Sequence, residues 1–183
     1  MSFEQPTVQN PESPREKYTL TLSEFDARIK NLEEDGAVVQ EAQGADDPEY
    51  IRSDRRKQLE EITKQLKEHS AARQSLEGGD LGPAAQLIIR QELEAIDAVR
   101  NTEGDQEYGA HKRLEDMTQT VQLLRELNIS TESLDKIQNV LDKNVDPEVV
   151  GEGWRRVKEV EGLLEGLKAD GPLFNYKSSD PGL

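Results

Sequence analysis

The most informative part of this chain is residues 91–127, QELEAIDAVRNTEGDQEYGAHKRLEDMTQTVQLLREL. Apolar residues recur every three or four positions on both sides of a polar turn around Gly104. This spacing is typical of amphipathic helices. Ile96 and Val99 close the first apolar stripe, and the second consists of Leu114, Met117, Val121 and Leu124. The stretch therefore predicts two helices that pack against each other through a short connection.

Helical spacing continues on the amino-terminal side of this pair. A long helix is predicted from Pro48, with Asp47 as its N-cap, to about Leu76, where Gly78-Gly79 ends it. A second helix begins at Gly82-Pro83. Their apolar stripes are Leu59, Ile62, Leu66 and Leu76, then Ile89, Leu93 and Ile96. Together with the helix that follows Gly104, they predict an antiparallel three-helix bundle over residues 48–128.

Residues 18–47 predict an N-terminal helix followed by a loop. Thr21 and Glu24 have the spacing of a capping box. Gly36 interrupts the apolar stripe, so we expect the helix to bend or fray there. Residues 1–17 are polar and rich in proline, which predicts a disordered tail. The apolar stripe of this helix consists of Phe25, Ile29, Leu32 and Val39.

Residues 129–171 predict a smaller C-terminal hairpin of two helices. Asp146-Pro147 opens the second of these helices and Gly171-Pro172 ends it. The inward residues are Leu134, Ile137 and Leu141, then Val150, Trp154, Val157, Val160, Leu164 and Leu167. Residues 172–183 predict a flexible tail that contains Leu173, Phe174 and Tyr176. The predicted fold class is therefore all-α: an elongated antiparallel three-helix bundle with additional N- and C-terminal helices.

Composition narrows the classes of partner. A net charge of −15 disfavours nucleic acid and anionic membrane surfaces, because both are bound through clustered Lys and Arg. No apolar run approaches the roughly 20 residues of a membrane helix. Disulfides are excluded because the chain has no cysteine. The N-terminal residues lack the pattern of a signal peptide, so a cytoplasmic location, or a cytoplasmic and nuclear one, is expected.

The sequence offers little support for catalysis or cofactor binding. His69 and His111 are the only histidines, and neither has metal-ligand spacing. We expect His69 at a helix interface and His111 in an exposed position. Gly78-Gly79 followed by Gly82 lacks the pattern of a phosphate-binding loop and is better explained by helix termination. We therefore expect no enzyme activity, no metal and no cofactor.

Surface recognition by helices is the remaining class of function. One polar stripe on the helix before Gly104 contains Gln86, Arg90, Glu94 and Asp97. On the helix after it, Lys112, Gln119 and Gln122 align similarly, with Arg113 adjacent. Two neighbouring polar stripes would form one contact face with groups of both signs. An ordinary solvated surface is the alternative explanation of the same pattern.

Three short motifs resemble the BAG domain family over about residues 50–128. Leu76-Glu77-Gly78 matches the end of the family's first helix. Leu93-Glu94-Ala95-Ile96-Asp97-Ala98-Val99 matches the end of its second helix, and Val121-Gln122-Leu123-Leu124 matches the end of its third. The chain departs from the family at Leu87, where a glutamate is usual, and at Leu114, where the basic residue would fall, so that Arg113 matches only after a one-residue shift.

The resemblance implies a non-enzymatic co-chaperone. Such domains bind the nucleotide-binding domain of 70-kDa heat-shock chaperones and promote ADP release. The positions carried over are Asp97, then Lys112 or Arg113, and Gln122; Glu94, on the same stripe as Asp97, joins them as a candidate partner-binding residue. The alternative is a helical scaffold or assembly subunit of a multiprotein or virion complex, in which the amphipathic faces of residues 19–42 and 130–168 pair with other chains.

Overall fold

The computed structural model describes residues 14–42, 47–103, 107–129, 131–143 and 151–169. Within these ranges every regular element is a helix and no strand is formed. The all-α prediction is therefore confirmed for the described part of the chain. The helices are α1 (Pro14–Lys17), α2 (Thr19–Glu41), α3 (Glu49–Glu77), α4 (Gly82–Glu103), α5 (Glu107–Glu126), α6 (Thr131–Leu141) and α7 (Glu152–Ala169).

The helices pack as two groups of four that share α4 and α5. In the first group α2 contacts α3, α3 contacts α4, α4 contacts α5, and α5 contacts α2. In the second group α6 and α7 contact each other and α5, and α7 also contacts α4. The shared pair buries apolar residues on both sides, so the two groups have one continuous core. Its fully buried members include Phe25, Leu76, Ile89, Ile96, Met117, Leu124, Leu134, Ile137 and Leu164.

Helix α2 is an integral member of the first group. The sequence predicts a three-helix bundle over residues 48–128, with the N-terminal helix as an addition to it. In the structure Tyr18, at the N-cap of α2, and Leu22 and Phe25 within α2 are buried in the core. Phe25 meets the His69 ring of α3 edge-on, with the ring centroids 6.0 Å apart. Over the described residues α3 packs mainly on α2 and α4.

Positive backbone φ values mark two helix ends. Gly79 follows α3 with a φ of 85°, and the Asp80 amide donates to the Ser75 carbonyl at 2.9 Å. This confirms the predicted glycine stop. Asn128 follows α5 with a φ of 55°, and the Ile129 amide donates to the Leu124 carbonyl at 3.2 Å. Asparagine is the residue other than glycine that adopts this conformation most readily.

The two predicted N-caps are both wrong. Thr21 does not cap α2, which begins two residues earlier, at Thr19. It is buried, and its amide donates to Glu126 Oε2 of α5 at 2.6 Å. Glu126 also accepts from the Leu20 amide at 2.9 Å, so a carboxylate distant in sequence satisfies the first turn of α2. Pro48 occupies the N-cap of α3, and Asp47 pairs with Arg55 instead.

Helices α2 and α3 form an antiparallel hairpin. Gly36 lies opposite Ile62, and Asp26 lies opposite Arg73, with which it forms an ion pair. A Cβ on Gly36 would be 3.5 Å from Cγ2 of Ile62. The expected fraying at Gly36 does not occur, since α2 continues through this position to Glu41. Contact with α3 therefore compensates for the low helix propensity of glycine.

Several sequence predictions fall on residues outside the described ranges. Of the predicted tail at residues 1–17, the structure describes only the last four residues, which form the single turn of α1. The tail at residues 172–183, with Leu173, Phe174 and Tyr176, lies outside the described residues, as do Asp146-Pro147 and Gly171-Pro172. The C-terminal hairpin is present as α6 and α7. It packs on α4 and α5 and shares their core.

Candidate protein-binding surfaces

The polar stripe predicted on α4 is present on its outer surface. Gln86, Glu94 and Asp97 are exposed, and Arg90 is half-buried. Arg90 pairs with Glu68 of α3, at one side of the stripe. At the other side Arg100 pairs with Asp97 at 3.3 Å and with Glu161 of α7 at 2.7 Å. The stripe therefore lies between α3 and α7.

The exposed polar residues of α5 face a different part of the surface. Lys112, Gln119 and Gln122 are exposed. Gln119 donates to Glu24 of α2 at 3.0 Å. Arg125, on the next turn, pairs with Asp135 of α6 at 2.8 Å. The outer surface of α5 therefore lies between α2 and α6.

Arg113 is not part of an exposed surface, which corrects the expectation that it lies beside Lys112 on a contact face. Only 13% of its side chain is exposed, and its Nη2 lies 2.7 Å from Oε1 of Glu92 on α4. Glu92 is 4% exposed and also accepts from the Thr120 hydroxyl at 2.6 Å. Arg113 therefore joins α4 to α5 inside the fold. A sequence signal for this role was available, because Glu92 lies on the α4 side opposite Glu94.

The candidate residues do not form one contact face. Glu92 points towards α5, and Glu94 lies about 160° from Glu92 around α4. Arg113 points towards α4, and Gln122 lies about 180° from Arg113 around α5. The exposed candidates on α4, Glu94 and Asp97, and the exposed candidate Gln122 on α5 are therefore on opposite faces of the molecule. The prediction of two neighbouring polar stripes is wrong for this pair of helices.

A buried hydrogen-bonded chain connects three helices. His69 is 2% exposed, as expected for a histidine at a helix interface. Its Nδ1 lies 2.7 Å from the Gln65 carbonyl oxygen, and its Nε2 lies 2.7 Å from Nε2 of Gln91 on α4. The carbonyl can only accept, so Nδ1 carries the proton and Nε2 accepts from Gln91. Arg28 of α2 donates from Nη1 to the amide oxygen, Oε1, of Gln91. These hydrogen bonds fix the relative positions of α2, α3 and α4, and each polar group in them has a partner.

His111 is half-buried, whereas the sequence predicted an exposed position.

The distal part of the α2–α3 hairpin extends past the core. We call residues 29–41 of α2 and 49–66 of α3 the arm. The buried residues of α2 are Thr21, Leu22 and Phe25, and those of α3 are His69, Ala72 and Leu76, so none lies in the arm. Ile29, Leu32, Val39, Leu59, Ile62 and Leu66 are half-buried, and Val38 is 65% exposed. The arm is therefore a two-helix hairpin with incompletely covered apolar residues.

Metal chemistry finds no support in the described part of the chain, where no group of three or more His, Asp or Glu side chains is placed to hold an ion. Among the described helices none is long and apolar enough to cross a membrane. Comparison with known proteins found no matching family model, no similar curated protein and no similar solved structure.

Proposed function

We propose that this protein is a non-enzymatic helical assembly protein that pairs with another polypeptide through its arm. The observation that carries the proposal is the contrast between the two ends of α2 and α3. Where α2 and α3 pack on α4 and α5, they bury large apolar side chains. In the arm no apolar side chain is completely buried. An isolated two-helix hairpin removes little apolar surface from water, so further helices packed on it would add stability.

The sequence predicts two amphipathic faces that pair with other chains, in residues 19–42 and 130–168, and the structure covers the second of them within the chain. The apolar face of α7 is buried against α4, α5 and α6, with Val157, Val160 and Leu164 each at most 1% exposed. That face has its partners within the chain. Of the predicted pairing surfaces, residues 29–41 of α2 keep incompletely covered apolar side chains, and they form one side of the arm.

Site-specific photo-crosslinking in living cells tests the proposal. A crosslinking amino acid at Lys57, on the exposed side of α3, should give discrete covalent products with a polypeptide. The same amino acid at Glu115, exposed on α5, is the matched control and should give few. Equal, unspecific products from both positions would contradict pairing through the arm.

A chaperone-binding function is the second proposal, and it rests on the resemblance to BAG domains. The observation that favours it is the exposed α4 stripe with Glu94 and Asp97. It ranks second because Gln122 lies on the face of the molecule opposite Glu94 and Asp97. In addition, Arg113 forms a buried ion pair with Glu92 and is not available to a partner. Under this proposal the contact would involve α4 and its neighbours α3 and α7, and binding would favour an open, ADP-releasing arrangement of the chaperone.

Release of labelled ADP from the nucleotide-binding domain of a 70-kDa chaperone tests the second proposal. The protein should accelerate release, and Asp97→Ala should reduce this effect while Gln122→Ala leaves it unchanged. Both side chains are exposed, so both variants should keep the fold. An ADP-release rate that the unmodified protein leaves unchanged would contradict this proposal and would not affect the first one.

A cytoplasmic, or cytoplasmic and nuclear, location remains a prediction for both proposals.

A further inference from the structure

The arm carries a stripe of alternating charges on α3. Asp54, Lys57, Glu61 and Lys64 are all exposed. They are separated by three, four and three residues, so they follow one side of the helix. The next residue at this spacing, Glu68, pairs with Arg90 of α4. Near the core this side of α3 therefore faces α4. Along the arm, no other helix in the described part of the chain covers it.

The charge order of this stripe is self-complementary in the antiparallel direction. Read forwards the signs are negative, positive, negative and positive, and read backwards each sign is reversed. If two copies of α3 pack antiparallel, with a two-fold axis at the height of Leu59, Asp54 of one copy lies opposite Lys64 of the other. The same alignment places Lys57 opposite Glu61 of the second copy. All four charges of each copy meet the opposite sign, whereas a parallel alignment would place like charges together.

The stripe lies on the side of α3 that faces away from α2. Ile62 faces Gly36 of α2, and Lys57, Glu61 and Lys64 lie about 100–160° from Ile62 around the helix. Helix α2 therefore does not cover the stripe.

The charges of the stripe are weakly engaged within one copy. Lys64 lies 3.6 Å from Glu61, with side chains 62% and 54% exposed. Asp54 accepts from Gln58 at 3.0 Å, and Lys57 has no ion-pair partner among the described residues. Such exposed pairs contribute little to stability within a single chain. Little stability is therefore lost when these side chains leave their partners within one copy and pair with a second copy.

We propose that the occupant of the arm is a second copy of this chain, bound antiparallel through Asp54, Lys57, Glu61 and Lys64, with the two-fold axis at the height of Leu59. This inference rests on the proposed function and names its partner. The arm is about 27 Å long, from 18 residues of α3. Two such faces would bury on the order of 1,000 Å², which is at the lower end for specific interfaces. We therefore expect a reversible, concentration-dependent dimer whose affinity falls at high salt.

Two charge variants test this directly by sedimentation velocity. Lys57→Glu with Lys64→Glu makes the stripe wholly negative, and Asp54→Lys with Glu61→Lys makes it wholly positive. Each variant alone should be monomeric at concentrations where the unmodified protein dimerises. An equimolar mixture of the two should form a 1:1 complex at least as readily as the unmodified protein. Circular dichroism should show unchanged helicity, because every altered residue is exposed.

Spin-label distances test the orientation. The chain has no cysteine, so a single cysteine at Glu60 or Tyr50 gives a unique labelling site. Labels at the exposed Glu60, one residue from the centre of the stripe, should be close together in the dimer. Labels at Tyr50 should be about 24 Å further apart along the helix axis. A short distance at Tyr50 would contradict the antiparallel arrangement.

The outcomes distinguish this inference from the proposed function. A chain that stays monomeric at all concentrations, or a mixture of variants that does not associate, would overturn pairing between copies. If crosslinks from Lys57 then identify a different polypeptide, assembly through the arm still holds with another partner. If those crosslinks are absent as well, both proposals fail.

Discussion

Arg113 of α5 and Glu92 of α4 form an ion pair inside the fold, with Nε and Nη2 of the guanidinium 2.8 Å and 2.7 Å from Oε1. The two residues lie on the helices shared by both four-helix groups. A buried carboxylate without a partner is costly, so this pair ties the relative rotation of α4 and α5 to one arrangement. Arg113 therefore has a structural role.

Replacing Arg113 should destabilise the fold much more than replacing its exposed neighbour. In Arg113→Ala the Glu92 carboxylate stays buried and keeps only the Thr120 hydroxyl as a partner. We expect a loss of about 2–4 kcal/mol in the free energy of unfolding. Lys112→Ala, on the exposed side, should change it by less than about 0.5 kcal/mol. Urea unfolding compares the two, and equal midpoints would show that the pair contributes nothing.

Removing the carboxylate of Glu126 should loosen the start of α2. Glu126→Ala deprives the amides of Leu20 and Thr21 of their acceptor. We expect about 1–2 kcal/mol of destabilisation, as for the loss of an N-cap. Amide hydrogen exchange should accelerate at these two amides. Glu115→Ala, an exposed change on the same helix, is the control and should leave their protection unchanged.

Two glycines should respond to alanine in opposite directions. A Cβ at Gly36 would make an ordinary van der Waals contact with Ile62, so Gly36→Ala should stabilise the helical arm by about 0.5–1 kcal/mol. Gly79 has a φ of 85°, where a Cβ is strained, so Gly79→Ala should destabilise by about 1–2 kcal/mol. Thermal unfolding measures both. A lower Tm for Gly36→Ala would indicate that the α2–α3 contact is tighter than described.

The Glu132 carboxylate should titrate at a lower pH than an ordinary glutamate. Lys136 donates to it at 2.9 Å, and this hydrogen bond lowers the pKa of Glu132. Since the folded pKa is below the unfolded one, the contribution of this pair to helix α6 is present above the unfolded pKa. It is lost as pH falls through the folded pKa. Lys136→Met should raise the pKa of Glu132 in an NMR titration, whereas Lys143→Met should not.

The helices and most of their inward faces follow from local sequence. Apolar residues at spacings of three and four predicted the buried stripes of α4 to α7, and Gly78-Gly79 predicted the end of α3. These features depend on residues within a few turns of each other. Local spacing therefore contains the information, and the structure agrees with it.

Tertiary packing, by contrast, sets which helices are neighbours and which polar residues remain exposed. Arg113 is adjacent in sequence to the exposed Lys112, yet its burial depends on Glu92 in another helix. Thr21 has the local pattern of a cap, but Glu126 reaches the first turn of α2 from about a hundred residues away. The two polar stripes were visible in the sequence, whereas their placement on opposite faces required the rotation of α4 against α5. Helical periodicity specifies a face around one axis, and only the packing of several axes specifies what that face meets.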